Sequence, residues 1–147
     1  MAVVVDTGPL LAAALKRDEA HELAASLLGF GGRDLLIPDP VVVECESILR
    51  RRNAGEAARR LLAALVKGVW VRVPLTPSLF AHATAIDRHY RDLDLGLVDC
   101  AVMAVAASTR GAVLTFDFRD FRGAPPRAGG AWDLVIDERA YQRAVQS

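Results

Sequence analysis

The chain has 147 residues, of which 52% are hydrophobic and 24% charged, which predicts one globular domain over residues 1–147 with a full core. Its 18 basic and 18 acidic side chains cancel to a formal net charge of zero, so the overall charge does not indicate a nucleic-acid partner. No apolar stretch reaches the roughly 18 residues of a membrane span and the start of the sequence lacks a basic leader, so we expect a soluble, cytoplasmic protein with no membrane partner. Cys45 and Cys100 form no zinc-like cluster and are expected to be reduced core thiols.

Short apolar runs alternate with helical patterns from one end of the chain to the other. The runs are apolar on both faces, which is typical of parallel strands covered by helices on each side of a sheet. The sequence therefore predicts the α/β class, as a three-layer α/β/α domain with a central, mainly parallel sheet of about five strands. The predicted strands are 2–5, 35–38, 69–73, 112–116 and 134–136.

Helical periodicity lies between these runs, with start and stop signals at several ends. Asp39 is a candidate cap before Pro40 at the first helical position, and Gly111 stands where a helix should stop before the fourth strand. The predicted helices are 9–16, 19–29, 40–52, 55–66, 77–91 and 96–109.

Two acids come directly after predicted strands, Asp6 after AVVV and Asp117 after AVLTF. The carboxyl ends of parallel strands form the edge of a sheet where ligands bind, so both side chains are candidate ligands. Each also has a purely structural interpretation. Asp6 could cap the next helix, and Asp117 could form a turn with Asp120.

Two further acids interrupt apolar helical patterns, Asp99 in LGLVDCAVMAVAA and Glu44 in VVVECESIL. Burying an unpaired carboxylate costs several kcal/mol, so Asp99 needs solvent, helix N-terminal amides or a cation. Glu44 on its own is better explained as a surface residue paired with an Arg one or two turns further along the helix, such as Arg51. Four acids at strand ends or helix starts would nevertheless converge on one edge of the sheet.

Converging carboxylates repel one another unless a cation neutralises them, and their hard oxygen atoms favour Mg²⁺ or Mn²⁺ over zinc. Such a site suits hydrolysis of phosphate esters, in which two metal ions activate water and stabilise the leaving oxygen. Thr7 and Thr115 flank the two strand-end acids and could support them, although capping and strand propensity explain both hydroxyls equally well. Asp94 is a candidate N-cap or peripheral ligand, and Asp94 and Asp120 rank below the four main acids.

The segments VVVDTGPLLA, VVVECESIL, LDLGLVDCAVMAVAA and VLTFDFRDF, in this order and spacing, resemble the PIN-domain family across essentially the whole chain. The likeness is to the VapC-like toxins of bacterial type II toxin–antitoxin systems. It implies an Mg²⁺- or Mn²⁺-dependent endoribonuclease that is a homodimer and that a cognate antitoxin protein blocks. It further implies that the metal-binding, catalytic acids are Asp6, Glu44, Asp99 and Asp117, with Thr7 beside the first.

Contacts to the RNA substrate are predicted from basic residues near these segments, namely Arg51, Arg119 and Arg122, although charged runs are usually solvated faces. Two other functions stay open. The same acids would serve a PIN-like RNA-processing nuclease outside toxin–antitoxin systems, and a catalytically silent binding module would use them as caps and surface charges. A phosphatase with a covalent Asp is disfavoured, because Thr-Gly-Pro follows Asp6 where a second Asp would be needed.

Overall fold

Four parallel strands form one sheet in the computed structural model, which describes residues 1–29 and 34–147. They are β1 (Ala2–Val5), β2 (Asp34–Pro38), β3 (Val71–Val73) and β4 (Ala112–Leu114), in the order β3-β2-β1-β4. Val4 of the central strand β1 pairs with Leu36 on one side and Val113 on the other. The predicted parallel α/β sheet is therefore confirmed, with strand ends gathered along one edge.

The helices flank this sheet, and six of them match the predicted helical segments to within two residues at each start. Helix α6 is buried through its middle, from Cys100 to Ala106, and supplies much of the core under β1. The helices are α1 (Thr7–Ala14), α2 (His21–Gly29), α3 (Asp39–Arg51), α4 (Gly55–Val66), α5 (Pro77–His89), α6 (Leu97–Thr109), α7 (Phe118–Gly123) and α8 (Glu138–Gln146), with a 3₁₀ turn at Arg91–Leu93.

The predicted fifth strand, 134–136, is reduced to a single parallel bridge between Leu134 and Val113. The amide of Val113 donates to Asp133 O (2.7 Å) and the amide of Val135 to Val113 O (2.9 Å). The chain then turns away at once, because the carboxylate of Asp137 accepts the Ala140 amide and begins α8. Helices α7 and α8 were not predicted.

Two predicted helix caps are wrong. Helix α3 does contain Pro40 in its first turn, but the carboxylate of Asp39 binds the Arg72 guanidinium of β3 at 2.8 and 2.9 Å and caps nothing. Helix α6 begins after Gly96 without a side-chain cap, and Asp94 closes the preceding 3₁₀ turn with φ 51°. A contact 33 residues away in the chain thus overrides a local preference in the first case.

The end of α6 agrees with the prediction. Its last residues lead through Arg110, at φ 53°, to Gly111, whose amide donates to Ala106 O. A Cβ atom at Gly111 would lie 2.9 Å from the carbonyl oxygen of Ala2, closer than real Cβ contacts. Glycine is required there because β1 passes so near.

Cys45 and Cys100 are buried free thiols, as predicted. Burial is the main reason that the pKa of each thiol is raised to about 12, with nearby carboxylates adding to the effect. Both therefore stay protonated and act as small apolar side chains of the core. None of the helices in the described residues is long and apolar enough to cross a membrane.

Candidate metal centre

Asp6 lies at the carboxyl end of β1 and is held on both carboxylate oxygens. The Thr7 amide donates to Oδ1 at 2.8 Å, and the Thr115 hydroxyl donates to Oδ2 at 2.7 Å. The side chain is 5% exposed. Burial outweighs these hydrogen bonds and, with the charges of Asp117 and Glu44, raises the pKa of Asp6 to about 6. Asp6 is thus a fixed, buried acid surrounded by other acids.

Asp99 lies in the first turn of α6 and faces carboxylates. Partial burial is the largest cause that raises its pKa to about 8, followed by the charge of Asp6 and a hydrogen bond with Asp120. Asp99 takes part in none of the four ion pairs found among the described residues. An acid with neighbours of its own charge and without a basic partner is the arrangement that a cation would relieve.

Asp117 follows β4 and caps α7, its Oδ1 accepting the Asp120 amide at 3.2 Å. Its own amide donates to the Thr115 hydroxyl at 3.0 Å, so this hydroxyl links Asp6 to Asp117. Burial, followed by the hydrogen bond with Asp120, raises the pKa of Asp117, while the charge of Arg119 lowers it. The position of Asp117 therefore depends on contacts from two directions.

Asp99, Asp117 and Asp120 each offer a carboxylate oxygen, and these three atoms lie within 4.8 Å of one another. Sequence reasoning ranked Asp120 below the four main acids, yet the structure places it with Asp99 and Asp117. The signal that could have found it is the spacing of Asp117 and Asp120, three residues apart, which brings two side chains to one face of a helix. Helix α7 itself was not predicted.

Glu44 lies on α3, partly exposed, and its charge contributes to the raised pKa of Asp6. It is not among the three close carboxylates. The expected competing pair with Arg51 is not among the ion pairs of the described residues, where Arg50 pairs with Glu46 instead. Glu44 therefore borders the acidic group on the side of Asp6.

The supporting residues divide into two kinds. The Thr115 hydroxyl lies inside the site, and the buried Thr7 hydroxyl has no hydrogen-bond partner among the described residues. Asp94 is exposed and belongs neither to the three-carboxylate group nor to the charges acting on Asp6 or Asp99. The structure thus gives Asp94 no role at the site.

The three predicted RNA-contacting arginines are spread apart. Arg119 is exposed, and its charge acts on Asp117. Arg122 is bound to Glu138 of α8 at 2.7 Å. Arg51 is the last residue of α3, seven residues beyond Glu44, or about 10 Å further along the helix at 1.5 Å per residue. Arg119 is therefore the best placed of the three, since its charge acts on a candidate ligand.

The donor set fits a hard divalent cation. Its members are carboxylate oxygens at close range, burial and then neighbouring carboxyl groups raise the pKa values of Asp99 and Asp117, and an unsatisfied hydroxyl, that of Thr7, adjoins Asp6. Mg²⁺ and Mn²⁺ prefer such oxygen ligands, whereas zinc prefers Cys and His. Asp6, Asp99, Asp117 and Asp120 could hold such an ion, with Glu44 at the border.

The chain is similar to known proteins over most of its length. The profile of the PIN domain matches residues 3–125. The chain is 25% identical over 134 residues to Ribonuclease VapC26 of Mycobacterium tuberculosis (strain ATCC 25618 / H37Rv), a match that covers 90% of this chain and 99% of that protein.

Solved structures share the fold. The crystal structure of Mycobacterium tuberculosis VapC20, a Sarcin-Ricin loop cleaving toxin, matches with a TM-score of 0.70 and 21% identity, over 76% of this chain and 86% of that one. VapBC2 from Rickettsia felis bound to a DNA fragment from its promoter matches with a TM-score of 0.66 and 13% identity, over 93% of this chain and 98% of that one. A toxin–antitoxin complex from Klebsiella pneumoniae matches with a TM-score of 0.62 and 18% identity, over 84% of this chain and 93% of that one.

Proposed function

The chain belongs to the PIN-domain family, and from this premise we propose that it is a metal-dependent endoribonuclease, the toxin of a type II toxin–antitoxin pair. Residues 1–147 then act as one nuclease domain. The observation that carries the proposal is the group of carboxylates from three separate parts of the chain at one edge of the sheet. The likeness to Ribonuclease VapC26 over nearly the whole chain supports the same activity.

In this proposal Asp6, Glu44, Asp99 and Asp117 bind the metal, and Asp120 assists Asp117. Mg²⁺ or Mn²⁺ would neutralise charge on the scissile phosphate and activate water for in-line attack. The chain's own contribution is to fix the ligands in advance. Thr7 N and Thr115 Oγ1 orient both oxygens of Asp6, so little reorganisation is needed when the site is used.

RNA binding is assigned to the surface beside these acids. Arg119 is the favoured phosphate contact, because it is exposed and its charge reaches Asp117. Arg122 would have to leave Glu138 to serve, and Arg51 lies at the far end of α3. The net charge of zero is consistent with local contacts of this kind, since the acidic site offsets basic residues elsewhere.

A cognate antitoxin and a second copy of the chain complete the proposal. Two of the similar structures are of toxin–antitoxin assemblies, which supports a protein partner here. Several large apolar side chains are exposed, among them Val43, Val66 and Val69.

Cleavage of a mixed cellular RNA pool by the purified protein tests the activity. We expect cutting with Mg²⁺ or Mn²⁺, none with EDTA, and none from Asp6→Ala, which controls for contaminating nucleases. Cutting that persists in EDTA or in Asp6→Ala would refute the metal site. A protein that binds neither Mn²⁺ nor RNA would instead be a silent binding module. Copurification with the product of a small neighbouring gene would support the toxin role, and a solitary gene would favour RNA processing.

A further inference from the structure

Helix α8 contacts the loop that carries Asp117, although it lies beyond the region matched by the PIN-domain profile, residues 3–125. The ring of Tyr141 packs on Phe116 with a centroid distance of 4.7 Å and on Phe118 with a distance of 5.6 Å. These are the two residues on either side of Asp117. One side chain of α8 therefore holds both neighbours of a candidate ligand.

The same face of α8 is anchored to the first two helices. Tyr141 and Val145 pack on a small cluster of buried alanines in α1, in α2 and in the connection between them, a cluster that Phe116 also joins. The buried alanines are Ala12, Ala20 and Ala24. Because α1 starts directly after Asp6, Tyr141 lies between the element that follows the first acid and the loop that bears Asp117.

Asp117 needs such outside support. Helix α7, which it caps, has only six residues, and a helix this short is not stable without packing. The local hydrogen bonds of Asp117 run to Thr115 Oγ1 and from the Asp120 amide, at 3.0 and 3.2 Å. Phe118 and Phe121 of α7 are buried, so aromatic contacts account for much of what fixes the helix.

We propose that Tyr141 is a positioning residue that holds Asp117, and through α7 Asp120, in the orientation needed to bind the divalent cation. The part of this inference that concerns the metal rests on the proposed function. The part that concerns the Asp117 loop does not, because it is visible in the protein without metal or RNA. Tyr141 does not itself reach the cation; it acts through Phe116 and Phe118.

The test compares Tyr141→Leu, which keeps an apolar side chain but loses the ring, with Tyr141→Phe, which keeps the ring. In metal-free protein we expect amide hydrogen exchange at Asp117 and Asp120 to be about 3- to 10-fold faster in Tyr141→Leu, which corresponds to the loss of about one aromatic pair because Leu keeps part of the apolar contact. Mn²⁺ affinity measured by calorimetry should fall by a similar factor. Tyr141→Phe should restore both values.

Val145→Ala is the matched control, because it also trims an apolar contact of α8 with the alanine cluster but leaves the aromatic pair intact. We expect it to change exchange at Asp117 and Asp120 by less than Tyr141→Leu does. Equal effects of the two variants, or no rescue by Tyr141→Phe, would overturn the positioning role. If the wild type binds no Mn²⁺, the proposed function fails, while the exchange data still decide whether Tyr141 holds the loop.

Discussion

Asp6 and Asp117 follow neighbouring strands and both cap helices, yet they are held in different ways. Asp6 is buried and fixed by Thr7 N in the first turn of α1 and by Thr115 Oγ1 directly after β4. Asp117 is more exposed, stands before a six-residue helix, and is flanked by rings that pack on α8. One half of the site is therefore built into the core, whereas the other half depends on a peripheral helix.

The largest expected effect comes from Asp99, which lies between these two halves. Asp99→Asn removes a charge that would face the metal while keeping the shape of the side chain, so cleavage should fall by at least about 100-fold with the fold intact. RNA cleavage and circular dichroism measure the two outcomes. Asp92→Asn, which changes an exposed carboxylate in the same way, is the control. Full activity of purified Asp99→Asn would refute the assignment of Asp99 to the site.

Thr115 joins the two halves, so its hydroxyl should matter more than that of Thr7. Thr115→Val removes a donor to the buried Asp6 and the acceptor of the Asp117 amide, and should lower the free energy of unfolding by about 1–3 kcal/mol. Thr7→Val removes a buried hydroxyl that has no partner among the described residues, and in metal-free protein should be neutral or stabilising. Urea unfolding compares them. Equal losses of unfolding free energy in the two variants would mean that the hydrogen bonds of the Thr115 hydroxyl do not stabilise the fold.

The acids should make metal-free stability depend on pH. The pKa values of Asp6 and Asp99 are raised in the folded protein to about 6 and about 8, so their protonation favours folding. This contribution is complete below the ordinary value near 3.8 and is lost as the pH rises through the folded pKa values. In EDTA, the melting temperature of the wild type should therefore fall by a few degrees between pH 5 and pH 8. The fall in Asp99→Asn should be smaller.

Added Mg²⁺ should reverse this loss at pH 8, because a ligand that binds only the folded state stabilises it. The exposed variant Asp92→Asn should keep the pH dependence of the wild type. A wild-type melting temperature that rises from pH 5 to pH 8 in EDTA would contradict the raised pKa values of Asp6 and Asp99.

The smallest effect is expected from Asp120→Asn. The main-chain amide of Asp120 donates to the Asp117 carboxylate and is unchanged by this substitution, so the Asp117 half should keep its geometry. We expect substantial cleavage activity, with Mn²⁺ affinity reduced by less than in Asp117→Asn. Calorimetry on the two variants makes the comparison. Loss of Mn²⁺ binding by Asp120→Asn, with an unchanged circular dichroism spectrum, would make Asp120 the principal ligand at this end.

Much of the sheet could be predicted, because β1, β2 and β4 are short, apolar on both faces and followed by polar residues. The sites of Asp6 and Asp117 at one edge follow from parallel strands lying side by side. Asp99 stood out for the opposite reason, as a carboxylate in an otherwise buried helix. These inferences use only local pattern and the geometry common to parallel sheets.

The remainder depends on contacts that no local pattern contains. Helix α8 has a short apolar face with Tyr141 and Val145 but no fully buried residue, and its role comes from Tyr141 meeting Phe116 and Phe118. The Asp39 cap was wrong because Arg72 binds that carboxylate from β3. Asp120 was underrated because its neighbours in space became visible only with α7 in place.

The order of strands also says when the acids meet as the chain is made. β1, β2 and β3 are adjacent in sequence order, but β4 pairs with the opposite side of β1, and the Thr115–Asp6 hydrogen bond spans 109 residues. A growing chain that has emerged only as far as β3 leaves that side of β1 open, with Asp6 apart from Asp117. The acidic group is therefore assembled late in synthesis, after the edge strand β4 has left the ribosome.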